Sequence, residues 1–190
     1  MPDSLDRKFQ GILREGWVAH VDDYALDCHW AAGGEVLIVG DASGTISGFD
    51  GKSGRSLWRQ DNTHDGGLLA FAVHPDGKIF SSAGQDGQVI FWETESGAQL
   101  GVIGIASSWV EHLAWSPKGS FLSVACSRLA LILNSEGKEK WRSEEHRSTV
   151  SAIAWSGERA SNRLLWFCLL YTTDAADEGL GVDLGGRRII

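Results

Sequence analysis

The sequence predicts an all-β chain of repeated four-stranded antiparallel units, the architecture of a β-propeller, and three observations predict it. The first is a period. Gly34 and Gly77 stand 43 residues apart, as do Gly44 and Gly87; Pro75 and Pro117 stand 42 apart, as do Gly77 and Gly119; Trp115-Ser116 returns as Trp155-Ser156 after 40. Self-similarity at about 40 to 45 residues is the spacing of four-stranded propeller blades. The second is the pattern inside one period, where short apolar segments are separated by HPDG, GQDG and ESG. Asp-Gly sequences readily adopt the turns that join antiparallel strands. The third is composition: 24 glycines and nine tryptophans against three prolines in 190 residues suit tight turns alternating with aromatic packing positions.

Taken in order, residues 1–16 form a leader with Asp3, Asp6, Arg7, Lys8, Arg14 and Glu15 and no apolar core of a secretory signal. Its Leu5, Phe9, Ile12 and Leu13 permit either a helical stripe of one or two turns or a strand that completes a last blade. Residues 17–60 are a first repeat, in which Phe49, Asp50 and Gly54 fall on Trp92, Glu93 and Gly97 of the next. The second repeat, 61–105, predicts strands at Leu68–Val73, Lys78–Ala83, Gln88–Trp92 and Ala98–Ile103. The third, 106–145, has a shortened middle, SRLALILNSEG, without the Asp-Gly turn, and is expected to be irregular. A fourth, 146–167, supplies the start of another blade. The segment 168–190, CLLYTTDAADEGLGVDLGGRRII, resembles the conceptual translation of a transposase-type sequencing-library adapter, with Thr173 where the adapter frame encodes Ser, and is read as an artefact outside the natural protein.

Two families resemble these repeats. VHPDGKIFSSAGQDGQVIFWE, LAWSPKGSFLSVAC and IAWSG look like WD-repeat signatures, a resemblance that runs from about Asp23 to Gly157. VGDASGTISGFDGKSGRSLWR and GKEKWR, with Trp58 and Trp141 separated by 83, also look like the tryptophan-docking repeats of quinoprotein-type propellers. The expected fold is therefore an incomplete β-propeller of WD-repeat type, about three blades plus the start of a fourth, where closed rings have four to eight. The WD-repeat resemblance implies a non-enzymatic scaffold for protein–protein interaction. The quinoprotein resemblance supports an alternative, a quinoprotein-like or metal-dependent enzyme with a ligand in the central channel. That alternative requires carboxylates, Arg or His converging on the channel, whereas the first strands are expected to offer mostly apolar or small side chains.

His64, Ser82, Asp86 and Trp92 contain the types of a hydrolytic triad. On the WD-repeat pattern they fall residue by residue on its structural tetrad, which implies a buried hydrogen-bond chain and no catalytic role. In the first repeat Ser43 replaces the Asp and Phe49 the Trp, so that blade is expected to rely on apolar packing alone; His146 repeats His64 in the fourth. Gly51-Lys52-Ser53 lacks the Gly five positions earlier that a phosphate loop needs, since Ile46 stands there, and reads as an exposed hairpin turn. Asp61 and Asp65 precede Ala72 where a calcium loop needs a bidentate Glu, so they read as an acidic inter-blade connection. Cys28 and His29 point to opposite faces of one strand and are expected to pack in the core. Trp30, Trp115 and Trp155 share one register, Trp58 and Trp141 another, and all five are expected between blades.

Counting back six residues from the register positions gives Tyr24, Gly67, Trp109 and Thr149, the mouths of the first strands. Interface hot spots favour Trp and Tyr, so Tyr24 and Trp109, with Gln85 beside Asp86, are the partner-binding candidates. A net charge of −8 argues against a phosphate-tracking surface. No apolar run reaches the roughly 18 residues of a membrane span, and Cys28, Cys126 and Cys168 form no CxxC pair. The expected partners are proteins, without nucleic acid, membrane, cofactor, metal or small-molecule substrate, in the cytoplasm.

Overall fold

Turn chemistry every few residues folds the chain back on itself, and each meander closes into an antiparallel sheet with its strands in sequence order. In this computed structural model, which describes residues 16–156 and 164–169, the first sheet comprises β1 Ala25–Ala31, β2 Val36–Asp41, β3 Ile46–Asp50 and β4 Ser56–Gln60. The second comprises β5 Leu68–Val73, β6 Ile79–Gly84, β7 Gln88–Glu93 and β8 Gln99–Gly104. The third comprises β9 Val110–Trp115, β10 Phe121–Cys126, β11 Leu129–Asn134 and β12 Glu139–Arg142, and β13 Val150–Ser156 pairs β14 Leu164–Leu169 in the last. The leader up to residue 15 lies outside the described residues, and so does the adapter-like segment beyond Leu169.

The first strands β1, β5, β9 and β13 pack side by side, so the sheets stand as successive blades around one axis. Their starts lie on one face, called the upper face here, together with the β2–β3, β6–β7 and β10–β11 turns. The first-to-second and third-to-fourth strand turns lie on the lower face.

Strands alternate their side chains, and in the second blade both faces are covered. Phe80, Ile90 and Trp92 look back toward the first blade, where they join Ile38, Ile46, Leu68 and Phe71. Ala83, Val89 and Phe91 look forward and join Val110, Trp115, Leu122, Val124, Leu131 and Leu133. The core is thus a series of seams between blades. Gly77, at φ +71°, shows how tight a seam is: a Cβ there would lie 2.5 Å from the Ala32 nitrogen of the first blade.

Tryptophans staple the seams as their register predicts, with one exception. Trp115 packs edge-on against His74 and Phe91 of the blade before it, and Trp155 stacks on Phe121 and donates Nε1–H to the Ala114 carbonyl. Trp58 reaches forward, stacks on Phe80 and donates to the Thr94 carbonyl at 2.9 Å, while Trp141 packs on the small cluster of Ala125, Ala130 and Val150. Trp30 is 55% exposed instead of buried, because its register faces backward and no described blade precedes it. Trp17, which the repeat pattern above does not include, stands 41 residues before Trp58 and repeats its role, donating to the Gly51 carbonyl at 3.0 Å. The periodicity of tryptophan alone would have found it.

Two further expectations are corrected. The third blade is regular: β10 and β11 pair without a slip from Phe121↔Asn134 to Cys126↔Leu129, because Ser127 adopts φ +51° and turns the chain without glycine. The first blade does not rely on apolar packing alone. Buried Asp41 takes hydrogen bonds on one carboxylate oxygen from the Ser43 and Thr45 amides and the Ser43 hydroxyl. Asp41-x-Ser43-x-Thr45 is a side-chain-to-backbone turn cap, and those residues were the available signal.

Candidate functional site

The second blade holds the polar chain. Indole is only a donor and carboxylate only an acceptor, so the direction of every bond is fixed. Trp92 Nε1–H donates to Ser82 Oγ at 2.8 Å, and Ser82 donates in turn to His64 Nε2 at 2.8 Å. His64 Nδ1–H then donates to the Asp86 carboxylate at 3.0 Å. The neutral Nδ1–H imidazole satisfies this relay completely. A second proton on Nε2 would leave the Ser82 hydroxyl hydrogen without an acceptor. Burial holds His64 below the ordinary imidazole value, outweighing the opposing pull of Asp86. Asp86 also accepts the Asp65 and Gln88 amides, so the relay clamps the β6–β7 turn to the connection before β5. Ser82 is fully buried, and no substrate can approach its hydroxyl in this packing.

The clamped turn is part of the upper face. Gln85 donates its amide to the Gly67 carbonyl and is half-buried. The Tyr24 carbonyl accepts the Ala42 amide while its ring stands 75% exposed. Trp109 is 52% exposed, and the residue before it accepts the Cys126 thiol on its carbonyl. The three candidates share one face without touching, each at the mouth of a different first strand or its neighbouring turn. Backbone bonds hold Tyr24 and Gln85, the Cys126 thiol tethers the residue before Trp109, and two aromatic rings stand in solvent.

The inner strands border a cleft of about 1100 Å³. Its wall is more polar than the apolar or small first-strand side chains expected from the sequence. Asp27 Oδ2 and His29 Nε2 are 3.0 Å apart, and Glu111 and His112 stand on β9. Glu111 Oε2 is buried with no hydrogen-bond partner. The core placement of Cys28 and His29 also fails: Cys28 is exposed, and His29 lies edge-on to Phe71 at 4.9 Å. Cys28 shares the uncovered backward face of β1 with Trp30, whereas His29 points the other way and is half-buried against the second blade. Among the described residues, no three His, Cys, Asp or Glu side chains lie close enough to share a metal ion.

The other motifs take structural places. Gly51-Lys52-Ser53 is the β3–β4 turn, in which Asp50 caps the Lys52 and Ser53 amides. Asp61 and Asp65 lie in the connection from β4 to β5, and His146 occupies the corresponding connection before β13, its amide donating to the Arg128 carbonyl.

Residues 55–93 match the family model of the WD domain, G-beta repeat. That stretch runs from β4 to the end of β7 and contains all four residues of the relay. The chain is similar to a subunit of chromatin assembly factor 1 from Mus musculus, 30% identical over 64 residues, a third of this chain and 11% of that protein. It is also similar to protein HIR1 of Kluyveromyces lactis, 27% identical over 110 residues, 48% of this chain and 13% of that one. Among solved structures, the RRP9 WD40 repeats superpose with a TM-score of 0.69 at 19% identity, covering 79% of this chain and 46% of that one. A chain of the mitotic checkpoint complex does so with 0.69 at 22%, covering 79% and 45%. The fold is an incomplete WD-repeat-type β-propeller, and the chain spans under half the length of those propellers and about an eighth or less of the two curated relatives.

Proposed function

We propose that the chain is a non-enzymatic WD-repeat scaffold that holds a protein partner on its upper face through Tyr24, Gln85 and Trp109. The observation that carries this reading is the pair of exposed aromatic rings at the mouths of two first strands on one face. Two rigid rings lose little conformational freedom on contact, which is why such residues anchor interfaces. The relay supports the non-enzymatic part, because its only nucleophile is sealed and its imidazole is committed on both nitrogens. The two curated relatives are a component of an assembly factor and HIR1 by name, which is compatible with a platform that works by assembling other proteins.

The test places a photo-crosslinking amino acid at position 24, 85 or 109, with positions 52 and 118 on the lower face as controls. Adducts to one protein from the three upper positions, absent from the two lower ones, are the expected result. Adducts from the lower positions alone overturn the reading. The channel reading has one observation in its favour, the Asp27–His29 pair with Glu111 in the cleft wall; Asp27→Asn and Glu111→Gln variants that retain the upper-face adducts separate the two.

A further inference from the structure

The charges of the described residues are divided between the two faces. Lys52, Lys78, Lys118 and Lys138 occupy lower-face turns and Lys140 lies in β12, so no described lysine stands on the upper face. The upper face and its connections carry Asp22, Asp23, Asp61, Asp65, Glu144 and Glu145. Arg59 engages Asp22 and Asp61 there, Arg128 engages Glu145, and exposed Arg147 lies in the connection before β13, so these six acids face three arginines. Asp23, Asp65 and Glu144 are exposed and make no ion pair among the described residues. Two exposed aromatic rings, Tyr24 and Trp109, stand on the same face.

This is the complement of one kind of ligand. Ammonium and guanidinium groups pair with the free carboxylates, and their cationic heads and aliphatic stems lie against aromatic faces. Phosphate-rich surfaces are repelled by the same field. We infer that the upper face takes a lysine- and arginine-rich segment of a partner protein, an inference that rests on the reading of this face as the partner platform. The lower face, where lysines alternate with acids, gives such a segment no net attraction.

A labelled dodecapeptide of alternating lysine and glycine is titrated with the full chain by fluorescence anisotropy at low and high salt. Because the whole chain is acidic, the decisive comparison is between two matched triple variants. Asp23→Asn, Asp65→Asn and Glu144→Gln remove three upper-face charges; Glu35→Gln, Glu95→Gln and Glu136→Gln remove three exposed lower-face charges. The upper triple is expected to weaken binding about tenfold at low salt and flatten its salt dependence, the lower triple less than twofold. Trp109→Ala is expected to weaken binding a further three- to fivefold, with Trp109→Phe recovering most of it. Thermal melts keep the comparison to folded variants.

Equal losses from the two triples overturn the inference, since net charge alone then explains binding. Crosslinked segments from positions 24 and 109 that lack clustered lysine and arginine overturn it as well, and leave the partner platform standing. A tenfold loss in the upper triple without any protein adduct there supports the cationic site and removes the platform reading.

Discussion

Replacing Ser82 with Ala removes one oxygen atom and tests the whole polar chain. Ser82 Oγ accepts from Trp92 and donates to His64, both at 2.8 Å, and all three side chains are almost completely buried. The substitution leaves the Trp92 N–H and the His64 Nε2 lone pair in a space that alanine keeps closed to water. A buried donor or acceptor stripped of its partner costs roughly 1–3 kcal/mol, so the two together amount to about 2–4 kcal/mol after local relaxation. The void left by the oxygen adds little. For a chain of this size, 1 kcal/mol moves the melting temperature by roughly 2–4 °C, which predicts a fall of about 4–16 °C in a circular-dichroism melt.

The control is the neighbouring hydroxyl. Ser81 is equally buried, but it faces the third blade and donates to the Ala72 carbonyl at 3.4 Å, a long bond with little to lose. Ser81→Ala is expected to cost about 1 kcal/mol or less. A double-mutant cycle of Ser82→Ala with Trp92→Phe adds a second check, because removing the donor first reduces what Ser82 can still lose, and the coupling should reach about 1 kcal/mol. Ser82→Ala melting within 2 °C of the parent, or together with Ser81→Ala, would refute the relay as a stabilising device.

The same relay makes stability depend on pH. The unfolded imidazole of His64 titrates near 6.5 and the folded one below it, so between these values the unfolded chain binds more protons; urea midpoints should be level above pH 6.5 and fall as pH drops toward 5, and an identical slope in His64→Gln would assign the effect elsewhere. Trp58→Ala is expected to cost about 3–5 kcal/mol, since it loses the Phe80 stack, the Thr94 bond and buried volume, whereas Trp30→Ala costs about 1 kcal/mol or less from its exposed seat; equal melting shifts would contradict the seam assignment. Gly33 and Gly77 share positive φ values of 69° and 71°, but only Gly77 has a neighbour where a Cβ would go. Gly33→Ala should cost about 1 kcal/mol of backbone strain, and Gly77→Ala more than twice that, measured as the difference between two urea curves.

The parts of the fold legible in the sequence were those set by local geometry. Asp-Gly turns fix strand direction and register, so His64, Ser82, Asp86 and Trp92 fall into contact once the second blade's four strands are placed. The parts that stayed hidden depend on neighbours. Trp30 and Trp115 occupy the same register, and only the presence of a preceding blade makes one buried and the other exposed. Cys28 is exposed for the same reason. The β10–β11 turn uses Ser127 at positive φ where glycine was the expected signal. The cleft wall was misjudged because Asp27, His29 and Glu111 alternate with apolar residues along strands whose inward edge no period-two pattern identifies.

Asp86 joins the stability of the fold to the candidate site. Its carboxylate terminates the relay and also holds the Asp65 and Gln88 amides, so the turn bearing Gln85 is positioned by groups that belong to the core. A surface held in its bound shape before the partner arrives loses less entropy on contact. Among the exposed carboxylates, Asp23 accepts the Tyr24 amide at 2.7 Å, a bond that asparagine keeps, and no hydrogen bond or ion pair ties the Asp65 or Glu144 carboxylate to the described residues, so the three charges can be removed with those contacts intact. Ser82→Ala, assayed below its lowered melting temperature, should therefore reduce crosslinking at position 85 while sparing position 24, whose backbone is held by the first blade through Ala42. Equal reduction at both positions would mean that the relay supports the fold as a whole and does not organise this part of the face.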